Sequence, residues 1–236
     1  MQRIIAFFRT AGEFVLLFTA APILTATTAL LIAVNDLLGR LTETRKESQI
    51  SPDEKTDTSS VSVVIPTWNG RTHLERNLPS VLDALNKNES DEIIVVDNAS
   101  TDGTREMLQS KFPKVRVLNL ANNLGFGGGS NVGFHAARHD IVVLLNNDMR
   151  VQRDFLVPLL KGFQDPRVFA VSAQILFSDS TKCREETGLT QGCWHNGRLS
   201  VGHVIDHRVQ DLFPIFYAGG GSSAYDRQKF LALGGF

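Results

Sequence analysis

Cysteine is almost missing from this chain. Cys183 and Cys193 are the two among 236 residues, and they form no CxxC pattern. Such a pair supplies no disulfide framework and fits a reducing compartment. An excess of charge is missing too: 24 Lys and Arg stand against 25 Asp and Glu, for a net charge of −1. That balance gives no electrostatic basis for nucleic-acid binding. There is no internal repeat. A zinc pattern of useful specificity is also lacking, because Cys193, His195, His203 and His207 follow CxH…HxxxH, which matches no common ligand spacing. These residues and Cys183 read as ordinary loop positions. The length allows one medium domain with an appendage.

What is present begins at the N-terminus. Residues 14–34, FVLLFTAAPILTATTALLIAV, carry no charge over 21 positions, and about 20 are needed to cross a bilayer. A membrane helix over about 14–34, within an anchor at 1–40, is the leading expectation. A signal peptide is the rival, although its apolar core usually runs about 7–15 residues. A third reading makes Pro22 a break between two shorter segments. Arg3 and Arg9 precede the run, and Arg40, Arg45, Lys46 and Lys55 follow it. This bias predicts a single-pass membrane protein with the following domain on the cytoplasmic side. Residues 41–60 are polar and charged, and read as a linker.

From Val61 the pattern alternates. Strands are expected at 61–66, 92–97, 115–120, 141–146 and 168–177, and helices at 72–86, through Leu108, near 131–138, at 153–164 and at 226–233. Leu74, Leu78, Val81, Leu82 and Leu85 carry helical spacing. The expected fold class is α/β: a Rossmann-like, mostly parallel sheet with helices on both faces. Residues 178–212 read as polar and loop-rich.

Three polar clusters close three of the strands: Pro66-Thr67-Trp68-Asn69-Gly70, Asp97-Asn98-Ala99-Ser100 and Asn146-Asn147-Asp148. Ligands of open α/β sheets bind beyond the carboxyl ends of the strands, so the clusters describe one site. Asp97 can accept hydrogen bonds from a base imide or ribose hydroxyl; read alone, it fits an Asx turn equally well. Asp102 reads as a helix cap. Asp148 is the carboxylate of its cluster, of the kind that Mg²⁺ or Mn²⁺ on a diphosphate requires. A glycine-rich stretch, 124–131, follows the third strand. It departs from the dinucleotide fingerprint, since Ser130 takes the third glycine position and the fingerprint belongs after the first strand, which leaves a nicotinamide-cofactor oxidoreductase as a weaker third reading.

The order and chemistry of these clusters resemble glycosyltransferase family 2, of the GT-A type. VVDNASTDGT is similar to the family's nucleotide-binding strand end, Pro-Thr-Trp-Asn to its Pro-x-Tyr/Phe-Asn, and NNLGFGGGSNVGF to a segment lining its donor pocket. The Asn-Asn-Asp triplet departs from Asp-x-Asp and resembles the Asn-x-Asp of a rhamnosyltransferase-like branch. The resemblance implies a hexosyltransferase acting with inversion on a UDP- or dTDP-linked sugar, with a glycan or lipid-linked acceptor. It implies donor contacts from Pro66, Thr67, Asn69, Asp97, Asn98, Gly125, Gly127, Asn131, Asn147 and Asp148. It also implies Mg²⁺ or Mn²⁺ at Asp148 and Asn146. The glycine-rich segment 217–223 would lie near the acceptor.

The resemblance covers 61–236. In the family, Leu-Gly-Gly-Phe is followed by an acidic segment that supplies the general base, and the sequence here ends at Phe236. The GT-A domain is therefore expected to be incomplete, with the base beyond Phe236 and no role assigned to Asp226. The alternative is a catalytically inactive nucleotide-sugar-binding or partner-binding protein.

Overall fold

The computed structural model describes residues 21–31, 33–34, 56–86, 88–179, 181, 189–195, 197–206, 208–209 and 211–236. The chain divides into two compact units, Met1–Gln49 and Ile50–Phe236. In the first, helix α1 is described over 21–31 and 33–34, with its side chains exposed. The Thr25 and Thr27 hydroxyls donate back to the Ala21 and Ile23 carbonyls. The expected membrane span needs correction here. Among the described residues no helix is long and apolar enough to cross a membrane. A span takes about 20 apolar residues; the described part of the helix is shorter, and its apolar sequence is broken by Thr25, Thr27 and Thr28. The single-pass placement with a cytoplasmic domain falls with it. Residues 14–20 and 41–55, Cys183 and His207 lie outside the described residues.

The second unit is a layered α/β domain. Its elements are β1 (Val61–Thr67), α2 (Arg71–Leu85), β2 (Glu92–Asp97), α3 (Thr104–Lys111), β3 (Arg116–Asn119), α4 (Gly125–Ala136) and β4 (Ile141–Leu145), then α5 (Leu156–Gly162), β5 (Ala170–Ser172), β6 (Thr190–His195), β7 (Arg198–His203), β8 (Ser222–Asp226) and α6 (Arg227–Ala232). The main sheet runs β3-β2-β1-β4-β8-β5. Strands β3, β2, β1 and β4 are parallel to one another, and β8 is antiparallel to β4 and to β5. Strands β1, β2 and β4 are buried and mostly apolar on both faces, as strands covered on both sides must be, whereas β3 at the edge is half-buried.

Alternation sorts their side chains between two cores. Val61, Val63, Ile65, Val95 and Val143 meet Leu74, Leu78, Leu108 and Phe163 from α2, α3 and the end of α5. Val64, Ile94, Val96, Val142 and Leu144 meet Phe134 of α4 and Phe230 of α6. Phe134 and Phe230 stack at 3.8 Å between ring centroids.

Several elements differ from the sequence expectation, strand β8 among them. Helix α4 starts at Gly125 rather than near 131. Gly127, Gly128 and Gly129 all lie in it, although glycine costs a helix about 1 kcal/mol per residue relative to alanine. Close packing explains this. A Cβ at Gly133 would sit 2.2 Å from Val64 Cγ1, and one at Gly129 would sit 2.3 Å from Asn98 Nδ2. Strand β5 is three residues long where ten were expected. Within the supposed loop of 178–212, β6 and β7 pair as an antiparallel hairpin. Its Asn196-Gly197 pair is the usual two-residue hairpin signal, and Gly197 takes φ 73°.

The domain extends upstream of Val61. Thr56 is buried, and its hydroxyl donates to Asp226 Oδ2 at 2.8 Å.

Candidate functional site at the strand ends

Register places the polar clusters side by side. Thr67 is opposite Asp97, and Asp97 is opposite Asn119. On the other flank, Asn147 Nδ2 donates to Thr67 Oγ1 at 2.7 Å. A continuous polar row therefore crosses the carboxyl ends of four parallel strands. Gly70 permits it: a Cβ there would lie 2.1 Å from Thr67 Oγ1 and 2.4 Å from Asn147 Nδ2.

The β1 and β2 loops are tied to each other. Asn69 N–H donates to Ser100 Oγ, and Asn69 Oδ1 accepts from Thr101 N–H, both at 2.8 Å. Asn98 N–H donates to the Thr67 carbonyl at 2.8 Å. Asn69 (φ 50°) and Ala99 (φ 60°) both sit in the left-handed region. That conformation is costly for a residue with a Cβ, and such strain gathers at functional sites. Trp68 projects from the same loop, 59% exposed.

Asp97 is buried. One of its carboxylate oxygens accepts from Ser100 N–H at 3.0 Å, and the other makes no hydrogen bond with the described residues. Asp102 lies just outside this centre and links two helices. It accepts from Arg71 N–H at the start of α2 and from Thr104 N–H at the start of α3, both at 3.0 Å. Burial acts to raise its pKa, but the hydrogen bonds from Thr104 and Arg71 outweigh that and hold the carboxyl below its ordinary value.

Asn98 is buried and serves the neighbouring loop. Its amide donates to the Gly125 carbonyl at 3.3 Å and accepts from Leu124 N–H at 3.4 Å. It thereby fixes the entry to α4. Gly125 is needed for its backbone, at φ 72°, and nothing lies within 4 Å of the space its Cβ would take. Gly127 faces Phe236, whose Cβ is 3.1 Å from where a side chain would begin. The Asn131 amide is committed to the same segment: it donates to the Phe236 carbonyl at 3.2 Å and accepts from Phe236 N–H at 3.0 Å. Pro66 lies inside β1, opposite Val96, one residue before the row.

The β4 end is held from two directions. Asn146 N–H donates to the Gly221 carbonyl at 2.9 Å. Asn77 on α2 donates to the Asn147 carbonyl at 3.2 Å, and Ser80 Oγ accepts from Val151 N–H at 3.2 Å. Asp148, by contrast, is exposed and makes no hydrogen bond or ion pair with the described residues. Among those residues no group of three His, Cys, Asp or Glu is arranged to hold a metal ion. The donor groups in this turn are the Asp148 carboxylate, unbonded among the described residues, and the side-chain amide of Asn146 two positions earlier. They fit an ion that keeps most of its ligands from water and substrate phosphates, as Mg²⁺ does.

The glycine-rich segment reaches the same end of the sheet. Gly221 lies against the Asn146 amide and Gly220 against the Phe126 ring. Just upstream, Tyr217 is bonded both ways to Thr190 of the hairpin, N–H to Oγ1 at 3.0 Å and carbonyl from Oγ1 at 2.8 Å. Asp226 sits at the opposite edge, paired with Ile141 at the start of β4. There it caps α6 through Lys229 N–H at 3.0 Å and forms an ion pair with Lys229 Nζ at 3.0 Å.

Sequence reasoning passed over Asn77 and Ser80. A signal was available: Asn77 interrupts an otherwise apolar buried face shared with Leu74, Leu78 and Val81.

A family model described as glycosyl transferase family 2 matches residues 62–233. The chain is 34% identical over 110 residues to YfnE of Bacillus subtilis, described as an uncharacterized glycosyltransferase, covering 44% of this chain and 27% of that protein. It is 38% identical over 74 residues to an N-acetylglucosaminyl-diphospho-decaprenol L-rhamnosyltransferase of Mycobacterium tuberculosis, covering 31% of this chain and 24% of that protein. Among solved structures, it resembles the mannosyltransferase PcManGT from Pyrobaculum calidifontis, in complex with GDP-Man and Mn²⁺. The TM-score is 0.52 at 23% identity, over 79% of this chain and 49% of that one. The chain thus spans less than half the length of each of these proteins.

Proposed function

The chain belongs to glycosyl transferase family 2, and from that premise we propose that it transfers a sugar from a nucleotide-diphosphate donor to a hydroxyl of a glycan or lipid-linked acceptor, with inversion. The observation that carries this reading is the polar row across the parallel strand ends, Asn147–Thr67–Asp97, followed in the β4 loop by Asp148, whose carboxylate has no partner among the described residues.

In this reading Asp97 offers its second carboxylate oxygen to a base imide or ribose hydroxyl. Asn69 adds its amide N–H groups and Pro66 and Thr67 their backbone. Asn98 and Gly125 shape the wall of the donor pocket. Asp148, with Asn146 beside it, holds Mg²⁺ or Mn²⁺ on the diphosphate. When bound, the ion offsets the negative charge that develops on the leaving phosphate. UDP- or dTDP-linked sugars are the donors favoured, and a rhamnosyl donor is compatible with the Asn-x-Asp form of the triplet. A divalent ion in this reading is supported by the PcManGT structure, which is in complex with GDP-Man and Mn²⁺.

Calorimetric titration of the full chain with UDP, dTDP and GDP, each with and without Mn²⁺, tests the proposal. The expected result is binding of one nucleotide, tightened by Mn²⁺, with the tightening abolished in Asp148→Ala. Unchanged Mn²⁺-dependent binding in that variant removes the role of Asp148. No binding of any nucleotide removes the donor reading.

A further inference from the structure

A buried asparagine in an apolar helix face needs a reason. Asn77 is 6% exposed, between Leu74, Leu78 and Val81 on the side of α2 that covers the sheet. Leucine would suit that face and favours helix more than asparagine does. Burying an amide is unfavourable unless it is hydrogen-bonded. Among the described residues the Asn77 side chain makes one hydrogen bond, from Nδ2 to the Asn147 carbonyl at 3.2 Å.

Ser80, on the next turn, works with it. The Ser80 hydroxyl donates to the Asn77 carbonyl at 2.7 Å and accepts from Val151 N–H at 3.2 Å. Together the two residues hold both ends of the 147–151 segment from below. Its other restraints are Asn146 N–H to the Gly221 carbonyl at 2.9 Å and Asn147 Nδ2 to Thr67 Oγ1 at 2.7 Å. Met149 N–H closes the turn onto the Asn146 carbonyl at 3.2 Å. Every restraint surrounds Asp148, and none engages its carboxylate. A ligand on a loop is imprecise unless neighbouring bonds fix it.

We propose that Asn77 and Ser80 are positioning residues: they brace the 146–151 turn from α2 so that Asp148 presents its carboxylate to a divalent cation carried by a nucleoside diphosphate. The inference rests on the function proposed above. The bonds behind a metal ligand typically set affinity by 10–100-fold, and a loosened turn costs that margin without touching the nucleoside contacts at Asp97 and Asn69.

The test uses the full chain and the variants Asn77→Leu, Ser80→Ala and Ser80→Thr. Calorimetry with UDP, dTDP and GDP gives affinities with and without Mn²⁺, and electron paramagnetic resonance reports Mn²⁺ binding in the presence of the nucleotide. Asn77→Leu and Ser80→Ala are expected to reduce Mn²⁺-dependent tightening by about 10–100-fold and to leave metal-free nucleotide affinity unchanged. Ser80→Thr, which keeps the hydroxyl, is expected to retain the tightening. Two outcomes overturn the proposal: full Mn²⁺ tightening in a variant that melts like the wild type, or a parallel loss of metal-free and metal-dependent affinity. The second would mark a merely structural role. If Asn77→Leu does not fold, the Ser80→Ala and Ser80→Thr pair decides alone. A wild-type chain that binds no nucleotide, with or without Mn²⁺, overturns the donor reading and this inference with it.

Discussion

Each residue of the strand-end row has a narrow tolerance. Asp97 spends one oxygen on Ser100 N–H, so Asp97→Asn keeps the shape while removing charge and one acceptor. A hydrogen bond to a charged group contributes about 1.5–3 kcal/mol, so nucleotide affinity should fall by about 10–100-fold with little change in melting temperature. Equal affinity in the calorimetric titration would remove Asp97 from the donor contacts. Gly70→Ala is a sharper probe, because its Cβ would displace both partners of the Thr67–Asn147 bond. It should lower nucleotide affinity as well as stability, the latter by about 1–3 kcal/mol. A thermal melt and a titration on the same sample separate the two effects.

The row itself was legible in the sequence. Short β-branched runs ending in Asp, Asn and Thr announce strand ends, and strand ends of parallel sheets face ligands. What was hidden is how the side chains divide their bonds. Asn98 and Asn131 look like pocket residues, yet both amides are used on backbone, of Gly125 and Leu124 in one case and of Phe236 in the other. Such pairings join residues far apart in sequence, and spacing alone does not encode them.

At the scale of elements, packing overrode propensity. Helix α4 carries glycine at 125, 127, 128, 129 and 133, a composition that reads as a loop. Two of them have a packing reason to be there: Gly133 lets Val64, and Gly129 lets Asn98, approach the helix backbone. Gly133→Ala should therefore push α4 off β1 and cost about 1–3 kcal/mol, read as a lower melting temperature. An unchanged melt would refute the packing account. The helix starts of α2 and α3 share one cap. Asp102→Ala removes acceptors from both, and losing a cap typically costs about 1 kcal/mol. The hairpin of β6 and β7 was missed for another reason: its strands are mostly exposed and lack the apolar alternation that marks a half-buried strand.

At the scale of the molecule, acid should act through paired carboxylates. Lys111 hydrogen-bonds Glu75 and lowers its pKa. Asp102 is also lowered, and the Arg167 side chain holds Asp165 down to about 2. Groups with depressed folded pKa values add stability above the ordinary carboxylate range near about 4 and lose it as pH falls through the folded values. Asp91 runs the other way, since burial raises its pKa and its contribution improves on acidification. The lowered groups outnumber it, so melting temperature should hold level above about pH 5 and fall below about pH 4. A melting temperature that rises on acidification would contradict these assignments. At this scale the sequence misled most at the N-terminus. An uncharged run of 21 residues suggested a span, but among the described residues no helix is long and apolar enough to cross a membrane.

The central claim is that one nucleotide-diphosphate site lies across the ends of β1, β2 and β4. Hydrogen–deuterium exchange of the full chain, with and without UDP, dTDP or GDP plus Mn²⁺, tests it most directly. The account predicts that a bound nucleotide slows exchange at 66–70, 97–102 and 145–149 together, and that Asp148→Ala loses the protection at 145–149. Protection elsewhere with these three segments unchanged, or no protection by any nucleotide, would contradict it.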